Sequence, residues 1–294
     1  MDYDRIKSWP FDEILHTYDE GDAMLYALSV GLGSDPLDAG QLRYVFEEPT
    51  LDVVPSMASI LGHPGFWMRD GDTGIDWVRV VHAEQGVTIH QPLPAAATIA
   101  ARNRVKAIVD KGPEKGAIVY TERTIADVAT RRPLATVEEA IFCRGDGGLA
   151  CSDQAPAGAP NAADGDPDAV WDYATLPQQA LLYRLSGDRN PLHASVAVAA
   201  QAGFDRPILH GLATFGIATH ALLRMCCDYE ASALASVRAR FSAPVFPGET
   251  IRTELWRRGD EVTFRATVPE RGVVVLTHGR ATLVSPEGRS TRPG

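Results

Sequence analysis

The sequence predicts an α+β chain of two related halves, each a long helix wrapped by an antiparallel sheet. Three observations point there. Stretches of the first half recur in the second. LYALSVGLGSDPLDA (25–39) parallels LYRLSGDRNPLHA (182–194) with two extra residues, VPSMAS (54–59) parallels LHGLAT (209–214), and TIHQPLPAAATI parallels FSAPVFPGETI. The segments IRTELWRR, VTFRATV and VVVLTHGRATLVS are rich in Val, Thr and Ile and are separated by turn residues, as strands are. A long helix followed by such strands is an α+β pattern in which the sheet packs over the helix.

In chain order, the first repeat spans 1–144. Residues 145–168 are rich in Gly, Ala, Pro and Asp, have little apolar periodicity, and read as a solvated linker. The second repeat spans 169–294. Within it YRLSGDRNPLH (183–193) is a bent loop: Gly187 and Pro191 punctuate it, and Asp188 and Asn190 can fold their side chains onto nearby backbone. The run FDRPILHGLATFGIATHALLRMCC (204–227) then leaves a turn and enters a long apolar helix. That helix contains His210, His220 and Arg224, so it reads as a buried helix and not a membrane span.

Composition narrows the function. A chain of 294 residues has room for two ordinary domains. Its net charge of −10 argues against a nucleic-acid binder, while a local basic patch could still meet a phosphate-bearing ligand. Cys143, Cys151, Cys226 and Cys227 form no CxxC pair and no disulfide framework, so reduced thiols are expected. His82, His90, His210, His220 and His278 show no HExxH or paired spacing, and no metal site is expected. There is no Gly-rich loop of the P-loop or Rossmann type. The N-terminus lacks the apolar run of a signal peptide and the C-terminal TRPG is not an SKL-type address, so the expected compartment is the cytoplasm.

The loop at 183–193 carries the chemistry. Five residues separate the carboxylate of Asp188 from the imidazole of His193. On a helix such residues diverge, but in a bent loop both can aim at one point, hold a water and move its protons. Taken alone, Asp188 is a turn residue bonding its own backbone, His193 a helix-start residue, and Asn190 the opening of an Asn-Pro turn. Gly211 falls at the start of the long helix, where backbone N–H groups lack intrahelical partners and the dipole adds positive charge. A bare N–H there can hold a carbonyl oxygen that gains negative charge, although Gly211 could equally serve helix packing. By internal alignment Gly31 stands opposite Asp188, Asp38 opposite His193 and Ser56 opposite Gly211. The first repeat therefore lacks the acid–imidazole pair. One active site per chain is expected, with the first repeat forming a wall of the substrate tunnel.

YRLSGDRNPLH, HGLATFG and RFSAPVFPGETIRTELW resemble the MaoC-like, hot-dog-fold hydratases, and among them the (R)-specific 2-enoyl-CoA hydratase 2 domain of peroxisomal multifunctional enzymes. VVHAEQGVTIHQPLP and VDKG resemble that family's N-terminal repeat. The resemblance implies a double hot-dog fold and reversible syn hydration of a trans-2-enoyl-CoA to a (3R)-3-hydroxyacyl-CoA. It implies Asp188, His193, Asn190 and Gly211 as catalytic residues, with Gly211 as the oxyanion donor. Arg189, Pro191 and Leu192 of the same loop are candidates for substrate contact. Lys111 matches a Lys that meets coenzyme A, and Phe241 an aromatic beside the acyl or pantetheine path. Where the family carries a ligand-touching His-Gly pair, this chain has His82–Ala83. No cofactor is implied, since coenzyme A is the substrate's carrier, and a homodimer is expected. A hot-dog thioesterase and a non-catalytic acyl-CoA-binding protein are the alternative readings. The GDxNPxH pattern speaks against the first and the intact Asp188–His193 pair against the second.

Overall fold

A computed structural model describes residues 1–156 and 165–284. Its helices are α1 (Tyr3–Lys7), α2 (Glu20–Ser29), α3 (Ala39–Leu42), α4 (Gln179–Tyr183), α5 (Val196–Gln201) and α6 (Gly211–Cys226). The first repeat contributes strands β1 (Ile14–Tyr18), β2 (Val80–Ile89), β3 (Ala97–Asp110), β4 (Ala117–Asp127) and β5 (Pro133–Cys143). The second contributes β6 (Ala169–Ala174), β7 (Leu234–Phe241), β8 (Thr250–Arg258), β9 (Glu261–Val268) and β10 (Val273–Leu283).

All ten strands join one antiparallel sheet in the order β1-β3-β4-β5-β2-β7-β10-β9-β8-β6. Each repeat has the same internal order, and the two meet head to head at β2 and β7. This is a double hot-dog. The seam pairs Glu84 with Arg240, Gln85 with Ala239, Gly86 with Arg238, Val87 with Val237 and Thr88 with Ser236. Alternation along the strands is clear, as in β4 and β9, where every second residue is buried. Those faces cover one core shared by both repeats, which includes Tyr26, Val87, Phe215, Leu222, Val237 and Phe264.

The central helix is where the two repeats part. In the second repeat α6 buries every residue from Ala213 to Leu223, because sheet and first repeat enclose it on all sides. At Gly216 a Cβ would strike Val30 Cγ1, so the missing side chain lets α6 lie against the end of α2. The long helix expected in the first repeat is absent. Its place against β2, β5 and α6 is taken by a 3₁₀ turn, Pro55–Ser59. The reason is local: Pro55 can open a helical turn, but Gly62 and Gly65, both at positive φ, and Pro64 end it within two turns.

The expected linker falls partly on 157–164, outside the described residues, as does the tail 285–294. Its described front is pinned to the first repeat. Asp153 accepts from the Ile108 N–H at 2.8 Å and pairs with Lys7 at 2.6 Å, while its own N–H reaches the Ile108 carbonyl. Among the described residues no helix is long and apolar enough to cross a membrane.

Candidate active site

The loop after α4 folds as its composition predicts. Gly187 has φ +123°, with nothing near an added Cβ, so glycine is required there by conformation and not by space. Asp188 Oδ1 accepts from the Asn190 N–H at 3.0 Å, and Asn190 Oδ1 accepts from the Leu192 N–H at 3.0 Å. The second bond caps a 3₁₀ turn, Pro191–His193, with Pro191 in its first position. Asn190 thus serves as the turn opener. Arg189 and Pro191 are exposed on the rim, and Leu192 is half-buried.

His193 is turned inward and buried. Its Nδ1–H donates to the Ile208 carbonyl at 2.9 Å. A carbonyl only accepts, so the proton of the neutral ring sits on Nδ1 and the lone pair on Nε2. His210, the N-cap of α6, stacks on His193 with centroids 3.7 Å apart and planes at 27°. Its Nε2–H reaches the Asp188 carbonyl oxygen at 3.2 Å. One potential ligating atom from each of Asp188, His193 and His210 lies within 4.8 Å of the others. A carboxylate and two imidazoles are therefore gathered in one place. The same donor set could hold a metal ion.

Gly211 is the first residue of α6, and its N–H makes no hydrogen bond among the described residues. The Phe241 ring lies 3.3–3.6 Å from where its Cβ would be. Across the seam, His82 of the first repeat packs edge-on against Phe241, centroids 5.0 Å apart. Ala83 sits at a bulge of β2 between His82 and Glu84. A residue of the first repeat thus reaches, through Phe241, the start of α6 in the second. Lys111 stands elsewhere. It lines a groove of about 230 Å³ with Lys106, Arg238 and Arg240 that includes neither Asp188 nor His193. Arg206 lies over Phe246, 5.0 Å from its ring.

His63 was not singled out from the sequence. Its Nδ1 accepts from the Gly65 N–H at 3.1 Å, and its charge state feels Glu139, Arg123, His82 and Asp188. Only a lone His between Gly62 and Pro64 could have hinted at it. Burial lowers the pKa of His193, against the Ile208 carbonyl and Asp188, which raise it. Burial also lowers His82, and it takes His210 down to about 4 with help from His193. Burial thus favours the neutral form of all three rings.

The equivalent place in the first repeat is plugged. A Cβ on Gly31 would stand 2.5 Å from Tyr173 Cζ, so no side chain fits where the second repeat has Asp188. Asp38, opposite His193, pairs with Arg224 at 3.4 Å instead.

A ten-stranded antiparallel sheet built from two repeats of the same strand order defines a double hot-dog protein. A model of the MaoC-like domain matches residues 159–278, and one of the MFE-2 hydratase 2 N-terminal domain matches 16–145. Enoyl-CoA hydratase ChsH3 of Mycobacterium tuberculosis is 37% identical over 88% of this chain and 90% of its own length. The peroxisomal enoyl-CoA hydratase 2 of Arabidopsis thaliana is 35% identical over 90% of each. The crystal structure of a MaoC-like dehydratase from Phytophthora capsici superposes with a TM-score of 0.86 at 32% identity, covering 97% of this chain and 99% of that one. The chain belongs to the MaoC-like hydratase 2 family.

Proposed function

We propose that this protein catalyses reversible hydration of a trans-2-enoyl-CoA to a (3R)-3-hydroxyacyl-CoA. The observation that carries the reading is the approach of Asp188 to His193, whose ring stacks on His210, the residue before Gly211. Full-length similarity to proteins named enoyl-CoA hydratase supports it.

The geometry suits the reaction. A water lies between the Asp188 carboxylate and His193 Nε2. One of the two removes a proton as oxygen adds to C3, and a proton returns to C2 from the same face. Between these events charge collects on the thioester oxygen, and the Gly211 N–H holds it. Such a donor typically lowers the barrier by about 3 kcal/mol. The two groups titrate as a pair, so the base is assigned to the pair and not to either residue. Asn190 shapes the loop that presents both. His82, Ala83, Phe241 and the rim residues Arg189, Pro191 and Leu192 border the acyl-thioester path, and Lys111 meets the coenzyme A end. No metal and no redox cofactor is required, since proton transfer and an oxyanion donor complete the chemistry. The reading includes a homodimer, as the resemblance implies. It places the protein in a reducing compartment such as the cytoplasm, in keeping with cysteines that form no disulfide among the described residues.

The test follows loss of the enoyl thioester absorbance with crotonyl-, octenoyl- and branched enoyl-CoAs. Parallel runs use a thiol reagent and a chelator. Hydration without thiol release, untouched by the chelator, is expected. Asp188→Asn should lower kcat by about 10²–10⁴, while Asn still accepts the Asn190 N–H and keeps the loop folded. Failure with every enoyl-CoA, or release of free coenzyme A, would overturn the reading.

A further inference from the structure

His210 stands outside the proton transfers yet touches both groups that perform them. Its Nε2–H meets the Asp188 main-chain carbonyl at 3.2 Å, and its ring lies face to face with His193. On its other side the Tyr183 ring is 4.9 Å away. At 1% exposure it is beyond the reach of substrate. With the proton on Nε2, its Nδ1 holds a lone pair, and this buried atom has no hydrogen-bond partner. A bare buried acceptor is unfavourable, so a residue kept there for packing alone would be better apolar.

We propose that His210 is a positioning residue for the reaction, clamping the Asp188 backbone through Nε2–H while its ring backs His193, so that carboxylate and Nε2 share one water. This rests on the hydratase reading above. The two tasks need a histidine. A phenylalanine could stack but could not donate to the carbonyl, and a glutamine could donate but could not stack. The task also needs a neutral ring, because a cation beside His193 would oppose proton uptake there. The groups facing His210 are Asp188, which favours its charged form, and His193 and Arg184, which oppose it, with the Tyr183 ring alongside. Burial outweighs Asp188 and keeps the ring uncharged.

The experiment compares wild type, His210→Phe and His210→Gln in the full chain. It reads kcat and KM with an enoyl-CoA, and amide exchange of the 184–193 loop by mass spectrometry. In His210→Phe, kcat should fall on the order of 10- to 100-fold, as expected for a misplaced catalytic group. KM should stay within about twofold and loop exchange should quicken, because the effect is on alignment and not on binding. In His210→Gln, exchange should return towards wild type while kcat recovers only in part. The proposal is overturned if both variants keep kcat within about twofold of wild type with unchanged loop exchange. It is equally overturned if KM alone rises. Should the Phe variant fail to fold, the Gln variant decides by its kcat. Should wild type hydrate nothing, the hydratase reading falls, and the exchange measurement alone judges the clamp.

Discussion

Tyr26 and Tyr183 hold equivalent places in the two repeats and face each other with ring centroids 6.0 Å apart. Their surroundings have diverged. The Tyr26 hydroxyl donates to Ser56 Oγ at 3.0 Å, whereas the Tyr183 ring abuts His210. One copy is tied to the 3₁₀ turn of its own repeat and the other lies against the N-cap of α6. Tyr26→Phe should therefore cost about 1 kcal/mol of stability, the value of one buried hydrogen bond, and leave kcat unchanged. Urea denaturation beside steady-state kinetics checks both halves of that statement.

Gly211→Ala should separate helix stability from catalysis. A methyl there meets the Phe241 ring at 3.3–3.6 Å, tight enough to shift the ring or the first turn of α6 by a few tenths of an ångström. Alanine is the better helix former by up to about 1 kcal/mol, so the melting temperature should hold. The N–H at this position should lose its aim, with kcat down by about 10²-fold. A variant as active as wild type would remove Gly211 from the oxyanion role.

The pH response follows from buried imidazoles. Burial holds His193 below its ordinary 6.5, so Nε2 keeps its lone pair at pH 7. The hydration rate, read as kcat/KM, should be level through neutrality and decline only below pH 6.5. Stability should move the same way. His210 and His220 are both taken down to about 4 by burial, so the unfolded chain binds their protons first as pH falls. Their contribution is complete above about 6.5 and is lost as pH drops toward 4. A melting temperature that stayed constant from pH 7 to pH 4.5 would contradict this.

Arg123 and Glu139 form a buried ion pair under the 3₁₀ turn of the first repeat, 3.4 Å apart, and Arg123 Nη2 also donates to the Ser59 carbonyl. Burial would raise the Glu139 pKa, but Arg123, then His82 and His63, pull it below its ordinary value. Arg123→Met strands the carboxylate and should cost about 3–5 kcal/mol. Adding Glu139→Gln should return part of that. Chemical denaturation of the single and double variants gives the coupling directly.

The bend of the 183–193 loop could be read beforehand because its determinants are local. Gly187, Asp188, Asn190 and Pro191 set the bend within a few residues, and Gly211 sits where a turn meets an apolar run. What could not be read depends on distant partners. The lost central helix of the first repeat is decided by Pro55, Gly62 and Pro64, which the parallel between VPSMAS and LHGLAT concealed. Nothing local marks His210, since its bond to the Asp188 carbonyl spans 22 positions. The meeting of His82 with Phe241 depends on a strand register that joins Gln85 to Ala239. The grouping of Lys111 with Lys106, Arg238 and Arg240 likewise depends on how the turn after β3 falls beside strands of both repeats.

The β2–β7 seam also has an evolutionary consequence. Cutting the chain between its repeats would expose two long ladders of unpaired backbone groups at once, an invitation to aggregation. Each repeat therefore shields the other's edge for as long as the two share one chain. Even a first repeat that lacks the Asp188–His193 pattern is thus worth keeping for the edge it covers.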